Sequence, residues 1–221
     1  MTSASTDRPV VLPLTLASAA FGFIEGAVVV YLRALAGPGE FGFPLAPLPE
    51  RLVLTEIARE AATIVLLLGM SWATAREGFR RFAAFAFSFG VWDLTYYAAL
   101  KALLHWPGSW LTWDVLFLIP VPWLGPVLAP LLVSAGLVSA ALLLLGMSPG
   151  APSPLRLRDW IIEAAAGLAI VGSFVRNWRV AATGGVPTDF PWWLFGAGFG
   201  LGLGWFLWRW VGRLRPGRFR P

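Results

Sequence analysis

The sequence predicts an all-α integral membrane protein, a bundle of about six transmembrane helices with both termini in the cytoplasm. Three observations support this fold class. Of the 221 residues, 57% are hydrophobic and only 13% are charged, whereas soluble domains have about 25% charged residues. The mean hydropathy is +0.70. Apolar stretches of about 20 residues, long enough to cross a hydrocarbon core, recur throughout residues 1–221, which we treat as a single membrane domain.

Six apolar stretches are expected to be the membrane helices. They lie near residues 10–33, 52–74, 82–104, 127–147, 159–178 and 191–211. A soft Pro-rich linker, residues 148–154, follows the fourth stretch, because several prolines in a row do not continue a helix. Residues 23–27 (FIEGA) resemble residues 161–165 (IIEAA), but nothing longer aligns. The sequence therefore leaves open whether the chain consists of two inverted three-helix repeats, as some transporters do.

Residues 113–126 are an unusual segment between the third and fourth helices. They are largely apolar, but Pro120, Pro122 and Pro126 exclude a regular helix through the whole segment. Non-helical backbone at membrane depth occurs only where protein covers it or where it lines a water-filled cavity. We therefore expect a re-entrant or interfacial segment, a short helix that dips into the membrane and caps a polar cavity from outside.

The arginines indicate the orientation of the bundle, because cytoplasmic segments are enriched in positive charge. With the N-terminus inside, eleven arginines fall on the cytoplasmic side and four on the other. The eleven are Arg8, Arg76, Arg80, Arg81, Arg156, Arg158, Arg209, Arg213, Arg215, Arg218 and Arg220, and the four are Arg33, Arg51, Arg176 and Arg179. The sequence thus predicts a multi-pass protein of the plasma (inner) membrane, and arginine in place of lysine, with much Ala, Gly and Pro, is typical of a GC-rich bacterial genome.

Ionisable and polar side chains within these apolar stretches are the candidate site residues. A charge in the hydrocarbon core costs roughly 2.5 kcal/mol or more, so such residues usually face a protein interior or a cavity and pair with one another. The candidates are Glu25, Glu56, Arg59, Glu60, Asp93, Tyr97, Lys101 and Asp114. Together they predict a polar site within the membrane.

The spacing of these residues predicts how they pair. Glu56, Arg59 and Glu60 stand at i, i+3 and i+4 and share one helix face, so Arg59 is expected to bridge both carboxylates. On the third helix, Asp93, Tyr97 and Lys101 are spaced by four and form a second polar stripe. The alternative to a functional site is structural, with charged pairs such as Asp93 and Lys101 holding helices together.

The helix directions place most of these charges in the non-cytoplasmic half of the bundle. We therefore expect Glu25, Glu60 and Asp93 to share one outward-facing cavity that prefers cations or protons, since acids outnumber bases among the candidates.

Two further surfaces suggest partners. Gly196, Gly200 and Gly204 share one face of the sixth helix, and small residues four apart allow close helix packing, within the chain or between copies. The arginine-rich tail from Arg209 to Arg220 is expected to touch anionic lipid headgroups of the bilayer.

Several chemistries are disfavoured by composition. The chain has no cysteine and one histidine, so thiolate and multi-histidine metal sites are excluded and we expect neither a metal nor a cofactor. Its basic residues lie in loops and the tail, which is the ordinary signature of membrane orientation and does not indicate nucleic-acid binding.

Three functional classes remain open from the sequence. The first is a transport-like protein that binds or moves a cation, a proton or a small solute through its carboxylates. The second is a membrane-embedded enzyme that uses carboxylate acid/base chemistry on a lipid-linked or hydrophobic substrate, with Lys101 or Arg59 holding an anionic group. The third is an accessory or assembly subunit of a membrane complex, whose charged face meets a partner. No catalytic residue is assigned.

Overall fold

The computed structural model describes residues 10–36, 50–148, 150–183, 185 and 187–214. Its elements are α1 (Val11–Ala36), α2 (Glu50–Thr74), α3 (Gly78–Leu104), β1 (Trp113–Phe117), β2 (Trp123–Pro126), α4 (Leu128–Leu145), α5 (Leu157–Val175), α6 (Trp178–Ala182) and α7 (Trp192–Leu214). A long helix occupies each of the six stretches expected to be helical, so the all-α prediction is confirmed. Arg8, Pro149 and the tail arginines 215, 218 and 220 lie outside the described residues.

The long helices alternate in direction. α1, α3 and α5 begin at one end of the bundle, here called the N-terminal end, and the hairpin β1–β2 lies at the other, here called the hairpin end. Two contacts join elements at the N-terminal end. Arg80 Nη1 donates a hydrogen bond to the Met147 carbonyl (2.6 Å), and Arg209 Nε donates to Asp159 Oδ2 (3.2 Å). The start of α3 thus meets the end of α4, and the end of α7 meets the start of α5.

Small residues allow the closest helix pairs to form. The most extensive contacts are α1 with α3, α3 with α4, and α5 with α7. A Cβ placed on Gly26 of α1 would lie 3.0 Å from the Cβ of Ala99, and one on Gly90 of α3 would lie 2.7 Å from the Ser134 carbonyl oxygen. Glycine at these positions therefore sets how closely the helices approach.

The glycines of α7 pack on a different face from the one expected. A Cβ on Gly198 would lie 2.8 Å from the Ala166 carbonyl oxygen of α5. Positions 196, 200 and 204 have nothing within 4 Å of such a Cβ. Among the described residues, these three glycines therefore do not mediate packing within the chain. The alternating glycines of α7 form two faces, and the face that contains Gly198 is the one that packs on α5.

Residues 113–126 form an antiparallel β-hairpin, so the expected short helix is wrong. Asp114 pairs with Gly125 and Val115 with Leu124. Pro120 and Pro122 fall in the turn between the strands, where no ladder hydrogen bond is required of them. Aromatic and branched residues in β1 suit a strand, and pairing of the two strands satisfies backbone groups that an irregular loop would leave open.

Within the described ranges, two helices are long and apolar enough to cross a membrane by length and composition. They are Val11–Ala34, with a mean hydropathy of 1.7, and Leu128–Leu145, with 2.4. This finding is a weak indication of membrane association.

Candidate functional site

A cavity of about 430 Å³ lies inside the bundle, and its wall receives residues from all six long helices and from the hairpin. On α3 the wall extends from Phe82 to Tyr97, and on α5 from Trp160 to Phe174. At 1.5 Å per residue, each stretch is about 21–22 Å long. The cavity is therefore elongated along the helix axes, and at its N-terminal end the rings of Phe82 and Trp160 pack edge to face with centroids 4.8 Å apart.

An ion-paired network from α1 and α2 forms one part of the wall. Glu25, at 5% exposure, accepts a hydrogen bond from Arg59 Nη1 and another from Thr63 Oγ1 (3.0 Å). Arg59 Nε also donates to Glu56 Oε2 (2.8 Å). Arg59 therefore bridges two carboxylates, but the second is Glu25 on the neighbouring helix, and the predicted bridge to Glu60 is wrong.

Glu60 holds the hairpin instead. Its carboxylate accepts the Leu118 backbone N–H at 2.8 Å and 3.0 Å, one distance to each oxygen. Leu118 follows β1 directly, at the start of the turn. The side chain is 7% exposed and lines the cavity, so one buried carboxylate is part of the cavity wall and also anchors the segment that covers the hairpin end.

Two further acids lie against hydroxyl donors. Asp93 on α3 is 8% exposed, and its Oδ2 accepts the Ser134 hydroxyl of α4 (2.7 Å). Asp114 on β1 accepts the Tyr97 hydroxyl (2.8 Å) at Oδ2. The structural alternative in which Asp93 pairs with Lys101 is therefore not found, because the Ser134 hydroxyl on the adjacent helix is the partner of Asp93.

Most of the candidate residues line the same cavity, but two do not. Glu25, Arg59, Glu60, Asp93, Tyr97 and Asp114 are in its wall. Glu56 contacts it only through Arg59. Lys101 is exposed, and its Nζ donates to the carbonyls of Pro107 (2.9 Å) and His105 (3.4 Å). Lys101 thus closes the end of α3 and takes no part in the polar site.

Sequence analysis missed Glu163 on α5. This carboxyl lines the cavity toward the N-terminal end, since α5 begins only six residues earlier. Its Oε1 is buried and has no hydrogen-bond partner in the described part of the chain. The resemblance of residues 161–165 to residues 23–27 was the one signal that could have found it, because Glu163 is the counterpart of Glu25 in that alignment.

Asp159 is a second buried acid on α5 that the sequence did not single out. It is fully buried and accepts hydrogen bonds from the Arg156 backbone N–H (2.8 Å), Trp205 Nε1 (3.1 Å) and Arg209 Nε (3.2 Å). Three donors satisfy this carboxylate. It caps α5 and joins α5 to α7, which is a structural role.

The site offers carboxylates and aromatic rings. No three His, Cys, Asp or Glu side chains come together as a metal-binding group within the described ranges. Arg59 is the one basic side chain among the described residues of the wall, and it is already paired with two acids. Such a wall favours positively charged or protonated guests over anions. Comparisons with protein families, curated proteins and solved structures find no match to this chain.

Proposed function

We propose that the chain is a multi-pass protein of the bacterial inner membrane whose outward-facing polar site binds or moves a cation, a proton or a small solute. The observation that carries this proposal is the elongated cavity. It has Glu25, Glu60, Asp93 and Asp114 toward the hairpin end and Glu163 toward the N-terminal end. Its length of about 21–22 Å is a large part of a hydrocarbon core of about 30 Å, so acidic groups stand at two depths of one passage.

The outer surface supports placing the bundle in a membrane. Large apolar side chains point outward on several helices, including Val65 and Trp72 on α2 (both 67% exposed), Leu168 on α5 (72%) and Trp193 on α7 (70%). Soluble monomers rarely expose apolar patches of more than a few hundred Å². Lipid would cover these side chains, while Arg59 and Glu60 of α2 and Glu163 of α5 line the cavity.

The orientation can be measured with single cysteines, because the chain has none of its own. We expect Arg76→Cys, in the connection before α3, to react with a membrane-impermeant maleimide only from the cytoplasmic side. Gly108→Cys, after α3, should react only from outside. Both positions are exposed. Labelling of both from the same side would contradict a membrane-crossing α3 and, with it, the outward-facing site.

The function can be tested in proteoliposomes. We expect uptake of radiolabelled Na⁺ or methylammonium, or a pH change reported by entrapped pyranine, above the level of protein-free vesicles. Asp93→Asn and Glu60→Gln should each lower that signal at least tenfold, because each neutralises a buried acid of the wall while keeping its shape and its accepted hydrogen bond.

Glu77→Gln is the matched control for these variants. Glu77 is an acid outside the cavity that immediately precedes α3. Its carboxylate accepts a hydrogen bond from the Gly150 N–H (3.1 Å). We expect its signal to equal that of the unaltered chain. Wild-type protein that neither binds nor moves any of the three probes, while folded by circular dichroism, would contradict the proposal.

The two other classes have less support from the geometry. An enzyme that holds an anionic group with Lys101 or Arg59 would need a free cation at the cavity, but Lys101 is outside it and Arg59 is paired twice. An accessory subunit would present its charges on an outer face, whereas the buried acids Glu25, Glu60 and Asp93 point inward.

A further inference from the structure

The cavity wall is mainly apolar, which restricts what the site can hold. Besides its acids, Arg59 and a few small polar groups, it is built from aromatic, aliphatic and glycine residues. A bare or hydrated inorganic ion would lose water against most of this wall without replacement ligands, which is costly. The volume of about 430 Å³ is within the range of about 300–1,000 Å³ that accommodates drug-sized organic molecules.

Aromatic rings gather around Trp92, which precedes Asp93 on α3 and lines the same cavity. Trp92 lies beside Phe89 (centroids 5.5 Å apart), Tyr96 (6.3 Å) and Phe117 (6.3 Å). Phe117 in turn contacts Trp123 at 5.7 Å. Faces of aromatic rings attract cations through their quadrupole, and cages of this kind recognise quaternary ammonium groups.

Some polar atoms of the wall have no hydrogen-bond partner within the described part of the chain. Asp93 is 8% exposed, and only its Oδ2 accepts a hydrogen bond among the described residues. At the other end, Glu163 Oε1 is buried and has no hydrogen-bond partner among the described residues. Buried polar atoms are nearly always satisfied, so these two carboxyl oxygens, which are acceptors, indicate a guest that brings a positive charge to them.

We propose that the cavity binds a lipophilic organic cation, with its positive centre between Asp93 and the aromatic cluster around Trp92 and its apolar groups along the chamber toward Glu163. This inference rests on the proposed function, since it names the class of cation for the same site. Aromatic faces and an unpaired carboxylate oxygen together favour a positive charge that is spread over an apolar body. The acids exclude the corresponding anion.

A pair of probes with the same shape and opposite charge tests this directly. Tetraphenylphosphonium and tetraphenylborate differ in the sign of their charge and hardly in size. With the chain in nanodiscs, and empty nanodiscs subtracted, we expect saturable binding of the phosphonium in equilibrium dialysis. We expect the borate to bind at least 100-fold more weakly.

Variants locate the binding. Asp93→Asn, which keeps the Ser134 hydrogen bond, should weaken phosphonium binding at least tenfold, and Glu163→Gln should weaken it severalfold. Trp92→Leu should weaken it more than Trp92→Phe, which retains a ring. Glu77→Gln, outside the cavity, should match the unaltered chain and serves as the control.

Each result bears on a different claim. Equal binding of the two probes, or undiminished phosphonium binding by Asp93→Asn, would overturn the lipophilic-cation inference. If the phosphonium fails to bind while methylammonium or protons still enter proteoliposomes through an Asp93-dependent route, the substrate class is wrong and the proposed function stands. If every probe fails in both assays, both proposals fall.

Discussion

Replacing Arg59 with methionine is expected to lower the free energy of unfolding by about 3–5 kcal/mol, the usual effect of removing one member of a buried ion pair. The substitution keeps an apolar stem of similar length but leaves Glu25, with a side chain only 6% exposed, without its guanidinium. Glu56 also loses a partner, but its side chain is more exposed, at 19%, so an unpaired charge there costs less. Reversible unfolding in SDS with tryptophan fluorescence would measure the change.

The double variant Glu25→Gln with Arg59→Met provides the control. Once the orphaned charge of Glu25 is removed, most of the lost stability should return, because the cost arises from an unpaired buried charge. Equal stability of the single and double variants would show that Arg59 supports the bundle in some way other than by neutralising Glu25.

Alanine substitutions on α7 are expected to have opposite effects on its two glycine faces. Gly198→Ala places a methyl group 2.8 Å from the Ala166 carbonyl oxygen, which is backbone and cannot rotate away. Overpacking of this kind costs roughly 1–3 kcal/mol. Gly196→Ala meets nothing within 4 Å and should stabilise the helix by roughly 0.5–1 kcal/mol, the usual gain over glycine.

The two variants are matched in helix, residue type and added group. The difference between them in the midpoint of SDS unfolding therefore reports the α5–α7 contact alone. Equal midpoints would mean that α5 and α7 do not pack at Gly198. A change of oligomeric state in Gly196→Ala, seen by light scattering, would instead indicate that the outer glycine face joins two copies of the chain, one of the two contacts that the sequence leaves open.

The positions of the helices could be predicted because run length is a local property. Six apolar stretches of sufficient length each contain a long helix. The same reasoning reached its limit at residues 113–126, where Pro120 and Pro122 exclude a helix but do not select a strand. A strand needs a partner, and β2 is identified only once the chain has folded back on itself.

The composition of the site was more predictable than its pairing. The occurrence of charged residues within apolar stretches pointed to Glu25, Glu60 and Asp93, which all line one cavity. Helical spacing then predicted that both partners of Arg59 lie on its own helix, since contacts at i+3 and i+4 are the ones that spacing can reveal. Glu25 is 34 positions away from Arg59 in the chain, and no pattern along the sequence encodes that approach.

Because the hairpin is attached to Glu60, the binding of any guest that interacts with this carboxylate would be thermodynamically linked to the order of the hairpin. The Leu118 N–H has the Glu60 carboxylate as its acceptor. A guest that draws this carboxylate toward itself must weaken that bond, and by reciprocity a hairpin held firmly closed must lower the affinity for that guest. The rate of amide hydrogen exchange at Leu118, a backbone position of the hairpin, would therefore report whether the cavity is occupied.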